Sequence, residues 1–147
     1  MSSTSFVYAT YIATTPEKLW AALTSSEFTR QYFFGSEFVS DWQVGSGFQL
    51  ERNGKIDHHG EVLVYDPYRL LSMTWSVKDD EGERVSKVTY ELTPLNETVK
   101  LTLLHEDLLD KDIRKDEGKI VGFNNGWPVI LSNLKSLLET GKTLPAF

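Results

Sequence analysis

Histidine is the residue type in this sequence best suited to acid–base or metal chemistry, and three are present. His58 and His59 are adjacent, so a β-strand would point them to opposite faces, where they cannot share a metal. The favoured interpretation is that both lie on the surface. His105 ends an apolar strand face, which leaves three roles open: a buried structural histidine, a partner that orients a ligand by a hydrogen bond, or a general base. The first is favoured.

Other catalytic patterns are missing from the sequence. There is no cysteine, which excludes disulfides, thiolate nucleophiles and Cys-ligated zinc. His105-Glu106 is not followed by a second histidine at the zinc-protease spacing, and no serine lies in a Gly-x-Ser-x-Gly elbow. Segments 45–47 and 122–126 lack the phosphate-loop pattern. We therefore predict no catalytic residue, no metal site and no cofactor.

Length and composition predict one globular domain over residues 1–147. Hydrophobic residues make up 40% of the chain and aromatic residues 12%, enough for one core. The formal net charge is −6, and the basic residues are scattered among acids, which argues against a nucleic-acid or anionic-membrane partner. A membrane-spanning helix needs about 20 consecutive apolar residues, and no apolar run in the sequence is nearly that long. The N-terminal residues do not resemble a signal peptide. A cytoplasmic protein is expected.

The elements that would position these residues are mostly strands. Alternating apolar residues between turn signals predict six strands, at residues 6–12, 48–52, 56–65, 70–77, 85–92 and 98–105. Asn53-Gly54 is a strong two-residue hairpin turn. The turns are so short that neighbouring strands must be antiparallel. Two short helices are predicted between the first two strands, with Thr15 and Ser25 among the candidate caps and Gly35 at the end.

An amphipathic helix is predicted from about residue 126 to residue 140. Its apolar face follows from the spacing of Trp127, Ile130, Leu131, Leu134, Leu137 and Leu138. Asn124 or Asn125 is expected to cap it, with Pro128 in the first turn and Gly141 at the C-terminal end. Backward extension through 120–125 stays open, and Pro128 would then kink the helix. Residues 107–118 are charged and predict a solvated connection with at most one helical turn.

Strand alternation places apolar side chains on one face of the predicted sheet. One helix is about 10 Å across and covers a six-stranded sheet incompletely. Aromatic side chains either fill the remaining space or line a cavity. Tyr32 and Phe33 are candidates for the entrance. The other predicted cavity residues are Trp42, Phe48, Met73, Trp75, Tyr90, Leu103, His105, Trp127 and Leu131.

Several segments resemble one known family along nearly the whole chain. They are TPEKLWAALT (15–24), GEVL (60–63), DP (66–67), MTW (73–75), LLHE (103–106) and GWPVILSNLKSLLETG (126–141). In order and spacing they resemble the activator-of-heat-shock-protein-90-ATPase homologues of the START-like (SRPBCC) superfamily. The resemblance implies an α+β helix-grip fold: a curved antiparallel sheet, here of six strands, wrapped around a long C-terminal helix, with two short helices after the first strand.

The resemblance also implies a cavity between the long helix and the sheet. Eukaryotic co-chaperones of the family contact the chaperone through an additional N-terminal domain. The similarity here starts within about the first ten residues, which leaves no room for that domain and argues against a chaperone partner. The expected function is therefore non-catalytic binding of a small hydrophobic or aromatic molecule. A chaperone-accessory or other protein-interaction module, including a homodimer, and a polyketide cyclase-like enzyme are the alternatives.

Overall fold

The computed structural model describes residues 3–115 and 119–145, which form one antiparallel sheet and three α-helices. A 3-10 turn, Asp110–Asp112, follows the last strand. In chain order the elements are β1 (Thr4–Ile12), α1 (Pro16–Thr24), α2 (Ser26–Tyr32), β2 (Glu37–Ser40), β3 (Gly47–Arg52), β4 (Lys55–Asp66), β5 (Leu70–Asp79), β6 (Gly82–Leu95), β7 (Thr98–Leu108) and α3 (Phe123–Thr140).

The strands lie in the order β1-β7-β6-β5-β4-β3-β2. From β2 to β7 each strand pairs with the next one in sequence, whereas β1 pairs with β7. The predicted α+β class and antiparallel pairing are confirmed, but the predicted number of six strands is wrong. The seventh strand is β2, whose four residues include one buried apolar side chain, Phe38. A strand this short shows no alternation in the sequence.

The two short helices begin where the sequence predicts. Thr15 is the N-cap of α1, and its hydroxyl oxygen accepts a hydrogen bond from the backbone N–H of Lys18 at 3.2 Å. Pro16 occupies the first turn, where a missing N–H has no consequence. Ser25 is the N-cap of α2. These helices lead the chain from β1 to the far edge of the sheet, where β2 lies.

Helix α3 begins at Phe123, three residues before the predicted start. Its N-cap is Gly122 with a φ of 81°, so the prediction of an asparagine cap is wrong. The side chain of Asn124 instead accepts from the backbone N–H of Arg114 at 2.9 Å and donates to its carbonyl at 2.7 Å. Pro128 consequently lies inside the helix and not in its first turn. The C-terminal cap at Gly141 is confirmed, with a left-handed φ of 81°.

The core lies between α3 and one face of the sheet. The predicted apolar stripe of α3 is buried or partly buried along its whole length, from Trp127 to Leu138. On the sheet, every second side chain of β5 from Leu71 to Val77 is at most 5% exposed. The Trp127 ring lies 5.4 Å from Trp75 on β5. Helix α3 therefore covers the apolar face of the sheet, as the sequence predicts.

Candidate functional site

His105 lies in a buried chain of hydrogen bonds that joins α3 to the sheet. The indole Nε1–H of Trp127 donates to Nδ1 of His105 at 3.0 Å. An indole N–H can only donate, so Nδ1 must be the accepting nitrogen and Nε2 carries the proton. Nε2 lies 2.7 Å from the Ser86 hydroxyl, which in turn donates to the carbonyl of Trp75 at 2.8 Å. Each polar group in this chain has a partner of the required type.

The surroundings of His105 keep its ring neutral. The side chain has no exposed surface, and burial, assisted by His58, lowers its pKa to about 3, against a small opposing effect of Asp112. A protonated ring could not accept the Trp127 hydrogen bond. Both ring nitrogens of His105 form hydrogen bonds within the protein. This is the arrangement expected of a buried structural histidine.

A cavity of about 600 Å³ lies beside this chain, between the first two turns of α3 and strands β3, β4 and β5. Its apolar part includes Leu50, Val77 and Ile130 and four aromatic side chains, which we call the aromatic floor: Phe33, Trp75, Phe123 and Trp127. Seven charged residues, which we call the rim, also line it: Arg52, Asp57, Lys78, Asp79, Lys111, Asp112 and Arg114.

Three rings of the aromatic floor, those of Phe33, Trp75 and Trp127, pack against one another. Trp127 lies 5.4 Å from Trp75, and Phe33 lies 6.2 Å from Trp75 and 5.7 Å from Trp127. These are the separations at which aromatic pairs attract by edge-to-face and tilted contacts. The floor is therefore a preformed apolar surface, which suits a flat apolar guest.

Ion pairs fix the 3-10 turn at one side of the cavity. Arg84 donates to both carboxylate oxygens of Asp112 at 2.8 and 3.0 Å and also to Asp79. Lys111 lies 3.0 Å from the same Asp79 carboxylate. The hydrogen bonds from Lys111, the Glu81 N–H and Arg84 lower the pKa of Asp79 to about 2. The turn is thereby tied to the β5–β6 hairpin by charge-assisted hydrogen bonds.

His58 also lines the cavity, so the prediction that it lies on the surface is wrong. Its Nδ1 is 2.8 Å from the carbonyl oxygen of Ser76, and its ring packs 5.1 Å from Trp75. A bulge after the Asn53-Gly54 turn causes this: a regular hairpin would pair Leu50 with Asp57, but the structure pairs it with His58. His59 points outward and bonds Glu83 at 2.7 Å, as expected for a surface histidine.

The predicted site residues separate into three groups. Phe33, Trp75 and Trp127 line the cavity. Seven others are buried in the core and do not line it: Tyr32, Phe48, Met73, Tyr90, Leu103, His105 and Leu131. Trp42 is partly buried elsewhere, stacked on Tyr65 at 6.2 Å.

Sequence reasoning missed His58, Phe123 and the charged rim. Phe123 was overlooked because the helix was expected to start after it. Lys111, Asp112 and Arg114 of the rim lie in the charged segment 107–118, which the sequence predicts to be a solvated connection. Within residues 3–115 and 119–145, no group of three or more metal-binding side chains is present. In the same residues, no helix is long and apolar enough to cross a membrane.

One known protein family matches most of the chain. Residues 13–139 match the family model described as activator of Hsp90 ATPase homolog 1-like protein. The chain belongs to this family. The resemblance found in the sequence motifs is thereby confirmed, and it covers α1, α2, β2 to β7 and nearly all of α3. No protein of curated function matches this family member in sequence.

Solved structures of several other proteins have a fold similar to that of this chain. Protein MLL2253 from Mesorhizobium loti is 28% identical, with a TM-score of 0.75 over 92% of this chain and 97% of its own. The Aha1 dimer from Colwellia psychrerythraea is 20% identical, with a TM-score of 0.73 over 95% of this chain and 98% of its own. CalU16 from Micromonospora echinospora is 20% identical, with a TM-score of 0.74 over 95% and 78%. The last two similarities establish a shared fold and nothing more.

Proposed function

We propose that this protein binds a small hydrophobic or aromatic molecule in the cavity between α3 and the sheet, without catalysing a reaction. The observation that carries the proposal is the cavity of about 600 Å³ with its aromatic floor. Ligand sites typically have volumes of roughly 300–1,000 Å³, apolar walls and a few polar groups. The aromatic floor and the single imidazole of His58 match that description.

The state of His105 and of the rim acids argues against catalysis by those groups. Both ring nitrogens of His105 have partners in the protein, so it has no free lone pair for a substrate. The rim acids Asp57, Asp79 and Asp112 each pair with an arginine or lysine, and hydrogen bonds from these partners lower the pKa of Asp79 and of Asp112. A carboxylic acid whose pKa is lowered in this way is a poor general acid at neutral pH.

A cavity-filling variant provides the test. Gly126 lines the cavity on α3, and a Cβ placed there meets no atom within 4 Å. Native mass spectrometry of freshly purified protein and a thermal-shift screen with lipids and aromatic compounds should identify a guest. Gly126→Phe should abolish binding, whereas Gly126→Ala, the matched control, should retain it. Equal binding by the two variants, or no guest for the wild type, would contradict the proposal.

A second candidate is a protein-interaction module. Strand β1 lies at an edge of the sheet, with Val7 59% and Tyr11 52% exposed, and a structural neighbour is a dimer. Light scattering after size exclusion would detect a homodimer, which Val7→Lys should weaken. The chaperone version is tested by stimulation of a heat-shock protein 90 ATPase, and no stimulation would exclude it.

A further inference from the structure

His58 offers the cavity a hydrogen-bond acceptor in a fixed position. Its Nδ1 is 2.8 Å from the carbonyl oxygen of Ser76, and a carbonyl only accepts, so Nδ1 carries the proton. In the neutral ring, Nε2 then holds a lone pair, and no described residue donates to it. The ring packs against Trp75 at 5.1 Å and Phe123 at 6.4 Å, which holds its orientation.

The charge state of His58 favours accepting over donating. Burial lowers the pKa of His58, and this outweighs the opposing effects of the Ser76 hydrogen bond and of Asp57; His59 lowers it further. The ring is therefore neutral at and above pH 7. A neutral imidazole with its proton on Nδ1 complements a ligand group that donates a hydrogen bond.

The neighbouring Trp75 has a second unmatched polar group. Its indole Nε1 is the buried side-chain nitrogen for which the described residues offer no acceptor. This nitrogen has almost no accessible surface, so a guest in the cavity would contact His58 and not the Trp75 N–H. A hydroxyl group on an aromatic guest can donate a hydrogen bond to the lone pair on His58 Nε2.

Acidic side chains of the rim disfavour a carboxylate on the ligand. Arg52 lies 3.2 Å from Asp57, and Lys111 lies 3.0 Å from Asp79, so these two cations already have acidic partners on the same rim. A carboxylate entering here would meet these acids as well as the cations, and like charges repel. Two of the four cations of the rim are thus paired with acids of the same rim.

We propose that the guest is an aromatic molecule bearing a hydroxyl group, and that this hydroxyl donates its hydrogen bond to Nε2 of His58. The proposal rests on the proposed function, because it assigns the polar contact of a guest in the same cavity. It makes His58 the residue that selects among aromatic guests, while the aromatic floor holds the ring system.

Four probes of nearly equal size separate the possibilities: 2-naphthol, 2-methoxynaphthalene, naphthalene and 2-naphthoate. Affinities are measured by fluorescence titration at pH 7.5 with wild type, His58→Phe and His59→Phe. Because the ether cannot donate a hydrogen bond, we expect wild type to bind 2-naphthol about fivefold to tenfold more tightly than the ether. His58→Phe should bind both equally, and His59→Phe, the matched control on the outer face, should keep the preference.

Nitrogen-15 NMR of the wild-type imidazoles gives a readout that does not depend on the folding of a variant. Adding 2-naphthol, but not the ether, should shift the Nε2 resonance of His58. Equal affinity for 2-naphthol and its ether overturns the hydroxyl proposal and leaves aromatic binding standing. Tighter binding of 2-naphthoate overturns it in favour of the rim. Binding of none of the four probes counts against the proposed function itself.

Discussion

Replacing His105 with leucine removes the acceptor of a buried indole. At pH 7.5 the Trp127 N–H would be left unpaired in the core, and an unsatisfied buried donor costs about 1–3 kcal/mol of unfolding free energy. His105→Gln is the matched control, because its amide oxygen can accept from Trp127 and its amide N–H can donate to Ser86. We expect the glutamine variant to lose less than about 1 kcal/mol.

The pH dependence separates these variants further. Burial lowers the pKa of His105 to about 3 in the folded protein, against the ordinary histidine value of about 6.5 in the unfolded chain. Between these values the unfolded chain binds a proton that the folded protein does not, so stability falls as pH decreases, by about 1.4 kcal/mol per pH unit. From pH 7.5 to pH 5.0 the wild type therefore loses about 2 kcal/mol of unfolding free energy through His105. Neither variant loses this amount, because neither has a titrating group at position 105.

Urea unfolding followed by far-ultraviolet circular dichroism at the two pH values measures both effects. Circular dichroism is preferred because tryptophan fluorescence would respond locally to the substitution. At pH 5.0 the glutamine variant should be more stable than wild type by about 1–2 kcal/mol, although it is slightly less stable at pH 7.5. If the difference between wild type and His105→Gln is the same at both pH values, the reasoning about a neutral buried ring is refuted.

Three further substitutions test the packing and the ion pairs by the same unfolding assay. Gly60→Ala should lose about 1–3 kcal/mol, because an added Cβ would overlap the backbone oxygen of Thr74; full stability would contradict that packing. Gly126→Ala should gain about 0.5–1 kcal/mol, since alanine favours the helix and the site has room; a loss would indicate a hidden clash. Arg84→Gln should lose about 1–3 kcal/mol by leaving the Asp112 carboxylate without its bidentate partner, and 1 M salt should reduce the difference from wild type.

Most of the fold could be predicted because two periodicities are strong in this sequence. Alternation located β1 and β3 to β7, and the spacing of apolar residues located the buried face of α3. The start of α3 was missed because Gly122 caps it through its backbone conformation, without a side-chain hydrogen bond. Strand β2 was missed because it depends on pairing with β3 and on the burial of Phe38, which are tertiary effects.

The candidate site was harder to predict than the fold. The core and the cavity contain the same types of aromatic residue. The sequence therefore does not show that Trp75 lines the cavity whereas Tyr90 lies only in the core. The face of β4 that carries His58 depends on one bulge between Leu50 and Glu51, and a shift of one residue exchanges the two faces of a strand. No local sequence signal marks that bulge, so the histidine of the cavity was assigned to the surface.

The pairing of β1 with β7 has a consequence for the order of folding. Strands β2 to β7 form successive hairpins, whose short loops close at little entropic cost. Strand β1 must instead pair with β7, about ninety residues away in the sequence. Helix α3 also forms hydrogen bonds with the end of β1 and the residue after it: Lys135 donates to the Tyr11 carbonyl at 2.6 Å, and the Ala13 N–H donates to Glu139 at 2.8 Å. The hairpins can therefore assemble before β1 and β7 pair, and we expect this late, long-range pairing to limit the folding rate.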